Sequence, residues 1–245
     1  MIESGRKRKA DRPTESRRRE TRLWQVHLTA AAEVLLLLLV GFLGVEKSVD
    51  GVYTEQPLAS VVVGEIQASV TVGQTFIAEY DGLSRVEVYL ATYARHNTGP
   101  LVFHLRADPC SGADLVTATF DAEEVADNSY HVFEFSPIRS SGGCLYCFFL
   151  EAPEATPGNA ITVWGAREDA YAEGEAILDG LGERRVHDLT FRLGYELTAL
   201  DKVAVFLERL AVNKPSLWGD ERLYVFLGVA YLVLLYVTLA WIAQT

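Results

Sequence analysis

Three cysteines, Cys110, Cys144 and Cys147, are the residues whose spacing most directly suggests chemistry in this chain of 245 residues. Cys144-Leu145-Tyr146-Cys147 has the CxxC spacing of redox and metal motifs. A redox thiol needs a helix N-terminus or a nearby cation to lower its pKa. Here the pair opens a predicted strand, where positions i and i+3 point to opposite faces, which disfavours both redox chemistry and a shared metal. Outside the reducing cytosol, an odd count leaves one thiol unpaired or bonded to another chain. A Cys110–Cys144 disulfide, tying a loop to the start of a strand, is the expected pairing.

The five histidines (His27, His96, His104, His131, His187) form no HxH or HExxH pattern. His131 falls on an inward strand position and reads as a hydrogen-bonded core residue. No GxSxG, P-loop or dinucleotide fingerprint occurs. Asp121, Glu123, Glu124 and Asp127 supply the oxygen donors calcium prefers, but without EF-hand spacing, so a solvated loop is the plainer reading. Paired carboxylates invisible in sequence leave an extracytoplasmic polysaccharide hydrolase as a third functional reading. Nothing positive points to catalysis, however, and no resident cofactor is expected.

Charge is divided along the chain. Residues 1–22 hold nine Lys/Arg against four acids, a net of +5, whereas residues 46–222 hold 13 basic and 28 acidic residues, a net of −15. A basic tail can mark nucleic-acid binding. This one runs directly into an apolar segment, where Lys/Arg instead hold a membrane end in the cytoplasm, so no nucleic-acid partner is expected. Residues 1–22 are expected to be a disordered cytoplasmic arm and residues 23–46 a first transmembrane helix. Its apolar heart, Val34–Val45, is short, and extension back through Leu28 includes Glu33. That carboxylate either snorkels to the interface or pairs with a partner helix. Gly44-Val45-Glu46-Lys47 is a poor cleavage site, which favours an anchor over a removed signal peptide. Residues 223–243 contain no charge, meet the length for crossing a bilayer, and place Tyr224, Tyr236 and Trp241 near the ends. Two spans put both termini in the cytoplasm and the intervening domain outside, at the plasma membrane.

Between the spans, residues 47–198 read as short strands. Val86, Val88 and Leu90 alternate with Glu87 and Tyr89. Leu101, Phe103 and Leu105 alternate with Val102, His104 and Arg106. The same period of two recurs around Phe133, Phe148 and Phe191, the signature of half-buried strands. Further strands are expected at Ser60–Val63, Ile66–Val72, Gln74–Tyr80, Leu115–Asp121 and Ala160–Gly165. Asp81-Gly82, Gly142-Gly143 and Pro157-Gly158-Asn159 are turn signals. The expected fold is mainly β, an antiparallel β-sandwich of jelly-roll type between two transmembrane helices. Residues 199–222 add a short amphipathic helix and linker, with Val203, Phe206, Leu207 and Leu210 on one stripe. That helix either lies in the membrane interface or caps the sandwich.

The runs Gly73–Phe76, Leu83–Tyr93, Gly99–Arg106, Asn128–Ile138 and Tyr146–Pro157 resemble bacterial extracytoplasmic jelly-roll modules, galactose-binding-like or carbohydrate-binding-like, of the kind found with membrane glycosyltransferases at the cell surface. The resemblance covers about Gly73 to Tyr195 and consists largely of core and turn positions. It implies a non-enzymatic module that binds glycans or assists surface-polysaccharide assembly, and it carries over no ligand site. Sugar binding would use exposed aromatics beside polar groups, and Tyr93, Arg95, His96, Asn97, Trp164 and Tyr171 are the candidates. The competing reading is a structural or assembly subunit of a larger membrane complex, with Glu33 and small residues such as Ala30, Gly41 and Gly44 making contacts to another membrane protein.

Overall fold

The computed structural model describes residues 15–49, 53–107, 112–181 and 186–242. These form two compact units, a β unit from 53 to 198 and a helical unit built from the segments before and after it. The β unit contains β1 (Tyr53–Gln56), β2 (Val61–Val62), β3 (Thr71–Ile77), β4 (Leu83–Ala91), β5 (Pro100–Ala107), β6 (Val116–Asp121), β7 (Ser129–Ile138), β8 (Leu145–Glu151), β9 (Thr162–Ala166), β10 (Ala176–Asp179), β11 (Asp188–Leu189) and β12 (Phe191–Tyr195). One sheet runs β1-β12-β4-β9-β11, with β7 on β4 and β2 on β9; the other runs β10-β3-β8-β5-β6. All pairings are antiparallel. The chain changes sheet from β3 to β4, β4 to β5, β6 to β7 and β7 to β8, the crossing pattern of a jelly roll.

Alternation along the strands explains the sandwich. Leu101, Phe103 and Leu105 of β5 and Phe148 and Leu150 of β8 point inward and are fully buried, facing Val86, Val88 and Leu90 of β4 from the other sheet. Phe103 stacks on Phe133 of β7 across the two sheets, with ring centroids 4.0 Å apart. Phe76, Phe148 and Phe191 form a second aromatic contact set in the same core. Burying each such ring contributes about 1.5–3 kcal/mol. His131 faces inward as expected, half-buried, with its ring against Phe120. Burial pushes its pKa below the ordinary histidine value.

Three expectations need correction. Ile66–Val72 is not a strand: β3 begins at Thr71, and a turn closes between Val70 and Gln67, 2.9 Å from N–H to carbonyl. Ile66 and Val70 still enter the core, because an apolar pattern reports which side chains are buried and not which backbone groups are paired. β1 and β10 were not expected; both are edge strands of four residues, too short to display an alternation. The Cys110–Cys144 pairing is also overturned. Cys144 is an exposed free thiol, whereas Cys147 is fully buried and disulfide-bonded. Cys144 lies in the turn before β8, its Sγ 3.7 Å from the Ser140 carbonyl. Cys147 is inside the strand, level with Arg106 of β5. Cys110 lies outside the described residues.

The helical unit comprises α1 (Glu15–Val49), α2 (Ala199–Ala211), a 3₁₀ turn at Ser216–Gly219 and α3 (Glu221–Ile242). Trp24–Gly44 within α1 and the whole of α3 are long and apolar enough to cross a membrane. The 22 residues of α3 extend about 33 Å, matching a hydrocarbon core of about 30 Å. Because α1 begins at Glu15, part of the arm expected to be disordered is helical. Arg and Glu are good helix formers, and the apolar segment behind them supplies the nucleus they extend; residues 1–14 lie outside the described set. α1 and α3 meet along Ala31, Val34 and Leu38 on one side and Leu232, Val233 and Tyr236 on the other. His27 Nδ1 is hydrogen-bonded to the Tyr236 hydroxyl at 2.9 Å. α2 buries Val205 and Ala211 and packs against both α1 and α3. Asn213, in the left-handed region at φ 62°, ends it in the manner of a C-terminal cap.

Candidate ligand groove

β4 ends at Ala91, and the next residues are held in an unusual shape. Asp127 accepts hydrogen bonds from both the Thr92 amide (2.7 Å) and the Thr92 hydroxyl (3.0 Å). Those bonds, led by the one from the amide, lower its pKa below the ordinary aspartate value. Beyond that clamp Tyr93 and Ala94 both take positive φ, 57° and 54°. Two consecutive non-glycine residues there cost roughly 1–3 kcal/mol each, so the surrounding bonds must over-determine the loop. Asn97, almost fully buried, does this from inside by donating to the Thr92 carbonyl at 3.1 Å. Asn159 fixes the loop from its flank, accepting from the Thr98 amide at 2.9 Å.

The strained loop presents two of the expected residues together. Tyr93 is 41% exposed, and the Arg95 guanidinium lies over its ring at 4.7 Å. Arg95 Nη2 also donates to Glu65 Oε1 at 2.8 Å and to the Ala160 carbonyl at 3.3 Å, while its buried Nε has no partner among the described residues. Glu65 further accepts from Gln67 (3.0 Å) and the Gly158 amide (3.2 Å). The Arg95 hydrogen bond, reinforced by those of Gln67 and Gly158, holds the Glu65 carboxyl below its ordinary pKa against the opposing effect of burial. These side chains wall an open groove of about 680 Å³, which Ser69, Gly180 and Leu181 also line. Gly180 has φ +76°, and a Cβ there would lie 2.2 Å from the Ser69 carbonyl oxygen. Only glycine fits that wall.

The other candidates lie elsewhere. His96 is exposed and does not line the groove. Trp164 sits on the outer face of the first sheet, where its Nε1 donates to Asn128 Oδ1 at 2.8 Å and its ring adjoins Tyr89, itself packed on Tyr130. Tyr171 is a core residue: it lies edge-on to Phe191 and exchanges hydrogen bonds with the Ile77 backbone. Burial pushes its hydroxyl pKa up to about 12. Glu65, Gln67 and Ser69 were missed because their segment reads as a strand from its apolar residues alone.

Two further polar clusters hold the fold. Asp188, buried, accepts from Gln74 (3.0 Å) and from the amides of Ala170 (2.8 Å) and Tyr171 (3.0 Å). On the outer face of the second sheet, Asp114 joins Arg106 to His104, with His104 Nδ1 at 2.8 Å. Those two partners, Arg106 foremost, bring the Asp114 carboxyl down to about 2. The acids considered for calcium are spent separately. Asp121 caps a 3₁₀ turn by accepting from the Glu123 amide, Glu124 bonds back to the Asp121 amide, and Asp127 holds Thr92. Among the described residues, no group of three His, Cys, Asp or Glu converges as a metal site would require.

Fold and groove define a class: a jelly-roll β-sandwich carried between two candidate membrane spans. No protein-family profile matches the chain, and no curated protein matches its sequence.

Proposed function

We propose that this chain is a membrane-anchored, non-enzymatic module whose β-sandwich stands outside the cytoplasm, binds a glycan and assists surface-polysaccharide assembly. The observation that carries the reading is the groove, where an exposed tyrosine adjoins a carboxylate, an amide and a guanidinium on a strained loop. Sugar rings stack their C–H faces on aromatic rings, and adjacent hydroxyls pair with planar polar groups that donate and accept side by side. Strain set during folding means that the loop needs little ordering when ligand arrives, which lowers the cost of binding. The likeness of Gly73 to Tyr195 to carbohydrate-binding jelly rolls supports the same class of ligand. The basic arm before the first span supports an outward-facing sandwich and cytoplasmic termini.

The test is a bacterial surface-glycan array probed with the full chain in detergent micelles, followed by titration calorimetry on any hit. Tyr93→Ala and Arg95→Ala are each expected to weaken binding at least tenfold, with the thermal transition of the Tyr93 variant little changed. Absence of binding across the array would sink the glycan assignment and leave the anchored sandwich standing.

A further inference from the structure

Glu33 is nine residues beyond Trp24 and eleven before Gly44, the ends of the first candidate span. At the helical rise this is about 14 Å from one end and about 17 Å from the other. A glutamate stem is too short to bring its carboxylate from that depth to the headgroups. The carboxylate also points away from the seam with α3. Ala31, Val34, Leu35 and Leu38 face α3, and Glu33 lies about 100° round the helix from Val34, on the side opposite Leu35. It is exposed there among Leu36, Leu37 and Val40, and no described residue donates a hydrogen bond to it. Nor do the spans contain a cation to meet it: from Leu223 to Ile242 there is no Lys, Arg or His, and His27 is occupied by Tyr236. An ionisable group at the middle of a span faces a partner or an aqueous cavity as a rule, and none of the described residues supplies either.

We propose that this face of α1 docks a transmembrane helix of a second protein that carries a lysine or arginine level with Glu33. Charge complementarity selects that occupant. A second copy of this chain would set two carboxylates against each other at the same depth, and a purely apolar helix would leave the carboxylate without a partner. The inference rests on the reading of Trp24–Gly44 as a membrane span, and goes beyond glycan binding in assigning the anchor itself a recognition role.

The full chain, labelled with a donor fluorophore, is reconstituted in phosphatidylcholine vesicles with an acceptor-labelled leucine host helix. The host carries either a single lysine at mid-span or none. Association with the lysine host is expected to be about tenfold tighter than with the all-leucine host, and the difference is expected to vanish in Glu33→Leu and Glu33→Gln. Equal association with the two hosts, or a lysine preference that persists in Glu33→Leu, would overturn the proposal. Stronger energy transfer between two wild-type chains than with the lysine host would give the face to a second copy and overturn the choice of partner. Quenching by brominated phosphatidylcholines of a fluorophore on Leu36→Cys, in a Cys144→Ser background, separates the underlying reading. Quenching strongest from shallow bromines overturns the span and the docking together, whereas quenching strongest from deep bromines without lysine preference overturns the docking alone.

Discussion

At the scale of single residues, polar groups in this domain divide between those that hold loops and those that line the open groove. Asp188 belongs to the first kind, since it satisfies two backbone amides and the Gln74 side chain. Asp188→Ala strands those donors in a dry site and is expected to destabilise the protein by about 2–4 kcal/mol, measured by denaturant unfolding in detergent. Asp114 gives a pH signature. Its folded pKa of about 2 lies below the unfolded value of about 3.9, so its contribution is complete above roughly pH 4 and is lost as pH falls through 2. The melting temperature of wild type is therefore expected to fall relative to that of Asp114→Asn over that window, and the gap between them to be constant above pH 5. Cys144 is expected to take a maleimide in the non-reduced protein, with Cys147 labelled only after reduction, as mass spectrometry of tryptic peptides would show. Sequence named Tyr93 and Arg95 together, and they fall in one loop because both sit just after a well-marked strand. It could not show that Tyr171 turns inward or that Glu65 arrives from 30 residues earlier, since both depend on how loops fold back across the sheet end.

At the scale of elements, the strands that read clearly are those whose large apolar side chains recur at every second position. β5 alternates between buried and half-exposed residues along its length and β7 in its middle, whereas β4 and β8 are buried over most of both faces; the registers of all four carry the stacked aromatic core. Phe103→Ala would remove a ring that touches Phe133 and Phe148 and is expected to cost about 3–5 kcal/mol, read as a lower denaturation midpoint with an unchanged slope. The four-residue edge strands β1 and β10 did not read at all, because such an element is set by the neighbour that offers it hydrogen bonds. The same holds for the segment from Ile66 to Val70, whose apolar residues plug the core while its backbone turns. Gly180→Ala is expected to destabilise by more than about 1 kcal/mol, because the left-handed backbone and the Ser69 carbonyl both exclude a Cβ. That substitution also tests the lining of the groove, to which Gly180 belongs.

At the scale of the whole molecule, composition determined the plan: two apolar segments with the length of a bilayer, and an acidic strand-rich stretch between them. Those are properties of local pattern, since the hydrophobic period and the length of an uncharged run are written in consecutive residues. The sequence also exposed Glu33 as an exception within its span. Tertiary structure decided the rest. The packing of α1 on α3 sets the side to which Glu33 points, and α2 packs against both helices, burying Val205 and Ala211. The crossing of strands between sheets brings the segments around Glu65, Arg95 and Gly158 to one place. A disulfide through Cys147, with Cys144 left free, follows from where β8 begins, one residue after Cys144. Contacts between residues distant along the chain have no period to announce them; they exist only once the core has fixed every strand against its neighbours.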